Sequence, residues 1–229
     1  MGTFVTIYSI VVDAELDYGV PLEGFHCPPR CNVCKDACPT GAIVADGHMV
    51  PKMCIALNSF ITDSPERHYI PAEIREKMGT TVHGCDRCQE VCPRNQPKLK
   101  ARLPVHPFLA AKAREFDLLA LLRLTDEYYE RVVQPLMYNY IRDRKFFRRN
   151  AAIALGNLGD RSAVPALVEA LHDPEEVVRA HVAWALGRLG GAQAHSALES
   201  ELGRETGEVA RREMEDALAQ DVAQISMMA

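Results

Sequence analysis

Two cysteine motifs decide the fold of the first half of this chain, Cys27-Pro-Pro-Arg-Cys31-Asn-Val-Cys34-Lys-Asp-Ala-Cys38-Pro39 and Cys85-Asp-Arg-Cys88-Gln-Glu-Val-Cys92-Pro93. Together with Cys54 they contain all eight cysteines of the 229 residues. The opening stretch has neither the basic start nor the small-residue cleavage site of a secretory signal. The cysteines therefore favour metal binding or redox chemistry over a disulfide framework.

The spacing within both motifs is typical of cysteines that bind [4Fe–4S] clusters. Three cysteines in a tight loop bind three irons of one cube, and the cysteine before the proline binds the other cube in two-cluster ferredoxins. Under this rule the second cube is one thiolate short, and Cys54 is the only thiol left to complete it. The predicted ligand sets are Cys27, Cys31, Cys34 and Cys92 for the first cluster, and Cys38, Cys54, Cys85 and Cys88 for the second.

Two zinc sites are the main alternative, because zinc also accepts four thiolates. Zinc sites are usually built from two separated C-x2-C pairs, whereas this chain carries the C-x2-C-x3-C-P form twice. We therefore predict iron–sulfur clusters in preference to zinc.

The net charge of −5 hides a basic middle segment that is followed by an acidic one. Residues 94–149 carry 13 Lys and Arg against six acids, and residues 150–229 carry six against 13. The basic and aromatic residues that cluster near the end of the basic segment are Arg142, Arg144, Lys145, Arg148 and Arg149, with Tyr138, Tyr140, Phe146 and Phe147. Basic residues bind phosphates and aromatic rings stack on unpaired bases, so we predict contact with RNA. The alternative is a solvated face beside a helix core that buries the aromatics.

The last 80 residues contain an internal repeat that predicts stacked helices. The motif Arg-x3-Ala-x-Ala-Leu-Gly-x-Leu-Gly begins at Arg148 and again at Arg179, 31 residues later. A helix–turn–helix unit of this length is typical of a short HEAT-type repeat. Gly156 and Gly187 are small where we expect neighbouring helices to approach closely.

We predict a mainly α fold with a small α+β part, in which a bacterial-ferredoxin-like double-cluster domain is followed by an α-helical HEAT-type repeat module. The predicted boundaries are 1–26 for a strand and linker, 27–107 for the double-cluster domain and 108–229 for the repeats. Thr3–Val12 is rich in β-branched and aromatic residues and predicts a strand buried on both faces. No apolar run reaches the ~20 residues that span a bilayer, so we expect a cytoplasmic protein without membrane contact.

The cysteine segment resembles the epoxyqueuosine reductase family in more than its spacing. The stretches that carry the resemblance are Cys34-Lys-Asp-Ala-Cys38-Pro-Thr-Gly-Ala-Ile43, Cys54-Ile, His83-Gly-Cys85-Asp-Arg-Cys88-Gln-Glu-Val-Cys92-Pro-Arg-Asn95 and Phe147-Arg-Arg-Asn-Ala-Ala-Ile-Ala-Leu-Gly-Asn157. The resemblance covers nearly the whole chain, but only the C-terminal part of the family's length, and it implies the same two ligand sets. The family's N-terminal cobalamin-binding half is absent, so Thr3–Val12 would be a strand left from that half or pairing with it.

The resemblance implies an iron–sulfur electron-transfer protein that serves the reduction of epoxyqueuosine to queuosine in tRNA, an oxidoreductase reaction of queuosine biosynthesis. It implies two [4Fe–4S] clusters, tRNA as a partner, and a cobalamin-binding domain supplied by a partner chain or by the missing half. No electron donor or catalytic residue is predicted. One alternative is a stand-alone ferredoxin-like electron carrier whose HEAT repeats dock a protein partner. Another is an RNA-binding module whose clusters are purely structural.

Overall fold

The computed structural model of this chain describes residues 3–5, 8–17, 19–20, 27–60, 64–101, 104–137 and 143–228, with the backbone alone at 66 and 221–228. The chain divides into two compact units, each with more contacts within it than to the other. The first consists of Met1–Pro51 and Asp86–Pro104, and the second of Lys52–Cys85 and Val105–Ala229.

The described chain is mainly helical and contains one two-stranded sheet. In chain order the helices and strands are α1 (Val33–Ala37), β1 (Ile43–Ala45), β2 (His48–Met49), α2 (Ile55–Phe60), α3 (Ala72–Met78), α4 (Arg87–Glu90), α5 (Gln96–Lys100), α6 (Pro107–Glu115), α7 (Leu118–Arg123), α8 (Asp126–Tyr128), α9 (Gln134–Leu136), α10 (Lys145–Leu158), α11 (Val164–Ala170), α12 (Glu176–Leu189), α13 (Ala192–Leu202) and α14 (Glu208–Met228). The predicted fold class, mainly α with a small α+β part, is confirmed.

The first unit is built around a pair of short helices and a hairpin. The helix α1 packs against α4 and against β1. The strands β1 and β2 pair antiparallel with Ile43 opposite Met49, and Gly47 takes a left-handed φ of +69° in the turn between them. Asn95 is buried, and its side chain bonds to both the N–H and the hydroxyl of Thr3. This contact ties the described start of the chain to the end of the second cysteine motif.

The strand predicted at Thr3–Val12 does not form in the described part of that segment. Residues 3–5 and 8–12 belong to no sheet, and Ile10 and Val11 are 85% and 98% exposed. A strand needs a neighbour that completes its ladder of hydrogen bonds, and none of the residues described in the first unit provides one here. The prediction of a buried strand is therefore wrong for this chain taken by itself.

The second unit contains the stacked helices that the sequence repeat predicts. The helix α12 packs against both α10 and α14, and α11 and α13 pack against α12. A Cβ added at Gly156 would lie 2.9 Å from Cα of Ala185, and one added at Gly187 would lie 2.7 Å from Cβ of Ala217. Both positions are too close for any side chain, so these two glycines, one in each copy of the repeat, allow the helices to approach. The expectation of close approach at these positions is confirmed.

The segment Lys52–Cys85 belongs to the second unit, although it lies between the two cysteine motifs in the sequence. Its helices α2 and α3 pack against α10, and Ile70, Ile74 and Met78 join the apolar core of the repeats. The units therefore divide the predicted 27–107 domain instead of following its boundaries. The physical reason is that the stacked helices offer these apolar side chains a surface on which to be buried.

Candidate iron–sulfur centre

The first predicted ligand set lies entirely in the first unit. Cys34 is part of α1, and the turn before it is closed by the N–H of Cys31, which donates to the carbonyl of Pro28 (3.0 Å). Cys92 follows α4, and its N–H donates to the carbonyl of Gln89 (3.2 Å). Because α1 packs against α4, the helix that carries Cys34 lies beside the helix that leads to Cys92. The predicted pairing of Cys92 with the first motif requires the two motifs to lie close together, and the pairing itself stays a prediction.

None of the eight cysteines forms a disulfide, and seven of them are partly buried. The sulfur of Cys38 accepts a hydrogen bond from the N–H of Ala42 (3.2 Å) and lies 3.6 Å from Oγ1 of Thr40. Burial raises the pKa of the Cys38 thiol, but the Thr40 hydroxyl and neighbouring backbone N–H groups outweigh burial and leave that pKa below its ordinary value. At Cys34, in contrast, burial leaves the thiol pKa raised. Donors that favour the thiolate at Cys38 suit a metal ligand, because the thiolate is the form that binds iron.

Cys54 and Cys85 lie near the two ends of Lys52–Cys85, in the second unit. The carbonyl of Cys54 accepts both the N–H of Asn58 (3.0 Å) and its side-chain amide (2.9 Å). Immediately before Cys85, Gly84 turns the chain with φ of +69°, and its N–H donates to Oγ of Ser59 (2.9 Å). The helix that follows one cysteine is thus bonded to the turn that precedes the other.

The imidazole ring of His83 lies two residues before Cys85 in the sequence. It packs between Phe60 and Phe147, with ring centroids 5.4 and 6.2 Å away, and burial lowers its pKa. Its Nδ1 is buried without a hydrogen-bond partner among the described residues. Unpaired buried polar atoms are costly, so an orphaned nitrogen two residues before a predicted ligand fits a site that a bound group completes.

The donor set suits an iron–sulfur cube better than a single metal ion. Zinc gathers its thiolates on a single centre, whereas a cube places each thiolate on a separate iron. Cysteine thiols with a backbone N–H nearby, as at Cys38, are what an anionic cube requires. The residues present therefore fit the clusters, and the assignment of each cysteine to its cluster stays a prediction.

Arg149, one of the residues predicted to contact RNA, is not available at the surface. It is fully buried, and its guanidinium donates to the carbonyls of Asn58 (2.9 Å), Arg67 (3.2 Å) and His68 (2.8 Å). Burial lowers its pKa to about 9, which leaves it charged at neutral pH. The prediction that Arg149 contacts RNA is wrong, because its position on α10 faces the segment 52–85 and not solvent.

The other described basic residues of the predicted cluster, Arg144, Lys145 and Arg148, are partly exposed and paired with acids. Arg148 binds Asp173 (2.7 Å). Lys145 binds Asp143 (2.9 Å) and Glu175 (3.2 Å), and Arg144 binds Asp126. Phe146 and Phe147 are buried in the helix core, as the alternative to RNA contact expected. Arg142, Tyr138 and Tyr140 lie outside the described residues, and RNA contact by the partly exposed residues stays a prediction.

Two stretches of the chain match known protein families. Residues 26–95 match a 4Fe-4S double cluster binding domain, and residues 139–219 match HEAT repeats. The first stretch contains both cysteine motifs and Cys54, and the second contains both copies of the repeated motif. The double-cluster match supports iron–sulfur clusters over zinc, and the HEAT match confirms the repeat type.

Whole-chain relatives point to one family. The chain is 34% identical to epoxyqueuosine reductase of Bacillus subtilis over 93% of its own length and 53% of that protein, and 32% identical to that of Bacillus anthracis over 93% and 54%. A solved structure of the B. subtilis enzyme matches with a TM-score of 0.72 at 34% identity, over 90% of this chain and 53% of that one. Over most of its own length the chain is thus similar to proteins named epoxyqueuosine reductase. It spans about half the length of the B. subtilis and B. anthracis enzymes.

Another solved family member links this fold to RNA. A crystal structure of epoxyqueuosine reductase with a tRNA-Tyr epoxyqueuosine-modified tRNA stem loop matches this chain with a TM-score of 0.73 at 33% identity, over 90% of this chain and 52% of that one. In the described part of the chain, no helix is both long and apolar enough to cross a membrane.

Sequence reasoning missed the buried polar residues that join Lys52–Cys85 to the repeats. Asn150 is fully buried on α10, between apolar turns of the helix, and Asn58 and Ser59 are buried on α2. A signal was present, because Asn150 interrupts an otherwise apolar face that includes Phe147 and Ala154 at helical spacing. A polar residue at such a position must find a buried partner, but the sequence does not say which one.

Proposed function

We propose that this chain is the iron–sulfur electron-transfer part of an epoxyqueuosine reductase. The observation that carries the proposal is the double-cluster match over residues 26–95, in a chain whose relatives are named epoxyqueuosine reductases. A [4Fe–4S] cube supplies one-electron transfer when bound. The chain's own residues contribute thiolates, backbone N–H groups beside them, and a rigid repeat module.

Iron and sulfide quantitation with EPR on anaerobically purified protein tests this proposal. We expect iron and sulfide in equal amounts, equivalent to two cubes per chain, and signals that appear on reduction. Zinc in place of iron, or a single cube after full reconstitution, would contradict the proposal. Clusters that resist reduction would instead indicate a structural role.

The proposed ligand sets cross between the motifs, so that Cys92 completes the first cluster and Cys54 the second. Paired substitutions separate this arrangement from one cube per motif. If Cys31 and Cys92 serve the same cube, Cys31→Ser with Cys92→Ser loses about half of the iron. Cys31→Ser with Cys54→Ser then damages both cubes and loses nearly all of it. Loss of nearly all of the iron in both double variants, which one cube per motif predicts, would show that the sets are wrongly assigned.

We further propose that this chain contacts tRNA through the partly exposed basic residues near the start of α10. The relative crystallised with a tRNA stem loop and the surplus of Lys and Arg in residues 94–149 support this. Arg144 binds one carboxylate and Lys145 binds two, all at a partly exposed surface. A phosphate can replace these carboxylates at a low cost in free energy, because partly exposed ion pairs are weak.

Filter binding of a tRNA stem loop at several salt concentrations tests the tRNA contact. We expect Arg142→Ala with Arg144→Ala to weaken binding and to reduce the slope of log affinity against log salt by about one for each phosphate that the variant no longer binds. Arg212→Ala, at an exposed position in the acidic C-terminal segment, is the control and leaves the slope unchanged. Absence of wild-type binding at low salt would contradict the proposal and favour a carrier that docks proteins.

The cobalamin implied by the family would be held outside the matched half, by a partner chain or by a further domain. The exposed apolar segment at residues 3–5 and 8–12 supports this. Ile10 and Val11 are residue types that favour strands, yet both are exposed and pair with no strand among the described residues. A cobalamin-binding chain that co-purifies with this one and protects residues 3–12 from proteolysis would support the proposal. Cobalamin bound by this chain alone would contradict it.

A further inference from the structure

A single asparagine on α10 holds both ends of the segment that carries Cys54 and Cys85. The side-chain amide of Asn150 donates to the carbonyl of Ser59 (2.8 Å) and to the carbonyl of Val82 (2.8 Å). Asn150 is fully buried, so both of its N–H donors are used inside the protein. Ser59 lies on the helix that follows Cys54, and Val82 lies three residues before Cys85. One amide therefore sets the distance between the backbone near Cys54 and the backbone near Cys85.

The neighbouring residue Arg149 holds the same segment at further points. Its guanidinium donates to the carbonyls of Asn58, Arg67 and His68, and its Nε donates to Oδ1 of Asn150 (3.0 Å). The two side chains thus support each other and present their remaining donors to one strip of backbone. No carboxylate pairs with Arg149 among the described residues, so its charge is stabilised by carbonyl dipoles.

Short chains of hydrogen bonds connect these donors to the two cysteines. Arg149 holds the carbonyl of Asn58, and the side chain of Asn58 in turn donates to the carbonyl of Cys54 (2.9 Å). On the other side, Ser59 accepts the N–H of Gly84, the residue directly before Cys85. Every residue in these chains is buried or partly buried, so water does not compete freely with the bonds.

We propose that Arg149 and Asn150 are positioning residues, through which the first repeat helix sets the geometry of Cys54 and Cys85 for cluster binding. This inference rests on the proposed function, because it takes both cysteines as ligands of the second cluster. It assigns a task to the HEAT module beyond contact with a partner, since α10 forms part of the support of a redox centre. Occupation of that cluster then stabilises the repeats, because a group that binds only the folded arrangement favours folding.

The inference is tested by comparing Asn150→Ala with Asn157→Ala. Asn157 lies on the same helix, and its amide also donates to two carbonyls of the same segment, those of Arg75 (2.7 Å) and Gly79 (3.0 Å). Each variant loses two hydrogen bonds from the amide to backbone carbonyls, and Asn150→Ala also loses the bond that Oδ1 accepts from Arg149. The acceptors of Asn157 lie farther from both cysteines in the sequence than Ser59 and Val82 do. We expect Asn150→Ala to hold about half of the wild-type iron and sulfide, and Asn157→Ala to keep all of it.

A second measurement does not depend on any cluster. In the cluster-free chain, the rate at which iodoacetamide alkylates Cys54 and Cys85 can be followed by peptide mass spectrometry. We expect this rate to rise several-fold in Asn150→Ala, relative to Cys31 in the same sample, and to stay unchanged in Asn157→Ala. Equal alkylation rates in the two variants would overturn the inference, even if the wild-type chain were found to hold no cluster and the proposed function failed.

Loss of folding is controlled by a milder variant. If Asn150→Ala fails to fold by circular dichroism, Ser59→Ala replaces it, because this change removes only the acceptor of the Gly84 N–H and the bond to the Ala56 carbonyl. Ser59→Ala is expected to raise the alkylation of Cys85 and to lower the occupancy of one cluster. Full occupancy of both clusters with wild-type alkylation in the folded variant would overturn the inference.

Discussion

At the scale of single residues, burial decides the role of each basic side chain. Arg149 and Arg148 are neighbours in the sequence, yet the first donates to buried carbonyls and the second binds a carboxylate at a partly exposed position. Removing a buried donor leaves its acceptors unsatisfied, which costs far more than losing a surface ion pair.

We expect Arg149→Met to lower the free energy of unfolding by about 3 kcal/mol, because it removes the bonds to three backbone carbonyls. Arg148→Met, which removes an ion pair with Asp173, is expected to cost about 1 kcal/mol or less. Urea unfolding followed by circular dichroism measures both values. Equal losses would show that Arg149 does not anchor the segment 52–85 to α10.

A buried histidine makes the stability of the second unit depend on pH. His181 is fully buried; its Nδ1 bonds to the carbonyl of Val177 (2.7 Å), and its Nε2 accepts the N–H of Ile70 (3.2 Å). Burial, and then the charges of Arg75 and Arg149, hold its pKa well below 6.5. The folded state therefore binds fewer protons than the unfolded state, so this contribution is complete above about pH 6.5 and is lost as the pH falls below it.

Between pH 7.5 and 5.5, we expect His181 to account for a loss of about 1.4 kcal/mol in the free energy of unfolding. The measurement compares the pH dependence of urea unfolding for the wild type and His181→Gln, since all other titrating groups contribute to both. A His181→Gln chain with the same pH dependence as the wild type would contradict this role of His181.

At the scale of helices, the repeat works by close approach of small residues. A side chain at Gly156 would meet the backbone of Ala185 and the ring of Trp184 at distances near 3 Å. Neither can move without shifting α12, so overpacking there is costly. Glycine is required at position 156 because α12 packs so closely against it, and not because of the backbone conformation at that position.

We therefore expect Gly156→Ala to lower the free energy of unfolding by about 2 kcal/mol, in spite of the better helix propensity of alanine. The matched control is Gly203→Ala at the end of α13, where φ is −69° and a Cβ would meet its nearest atom at 3.9 Å. That change is expected to be neutral or stabilising by a few tenths of a kcal/mol. Thermal unfolding of both variants tests the contrast, and equal destabilisation of the two would show that helix packing does not require Gly156.

At the scale of the whole molecule, the chain matches a double-cluster domain but spans about half the length of the B. subtilis epoxyqueuosine reductase. We expect the purified chain, loaded with its clusters and supplied with free cobalamin and a reductant, not to reduce epoxyqueuosine in a tRNA stem loop. The reason is that the proposed cobalamin site lies outside the half of the family that this chain matches. Mass spectrometry of the nucleoside measures the product, and queuosine formation above the rate without protein would refute this expectation.

How much could be predicted from the sequence depends on whether a feature is local. The cysteine spacing, the proline after each motif and the 31-residue repeat are properties of short stretches, and they were sufficient to predict iron–sulfur clusters and the helical module. The family resemblance came from the residues of longer stretches, such as His83–Asn95. Thr3–Val12 shows the limit of such local signals. Its residue types favour a strand, but a strand forms only where a second strand pairs with it.

The cysteine motifs and the repeated motif by themselves determined which chemistry and which architecture this protein uses, because those signals lie in residue type and spacing. Only the tertiary structure decided that Lys52–Cys85 packs on the repeats and that Arg149 and Asn150 point inward to hold it. The physical reason is that these hydrogen bonds join residues 68 and 91 positions apart in the sequence. The sequence does not distinguish an arginine that binds a phosphate from one that donates to a buried carbonyl.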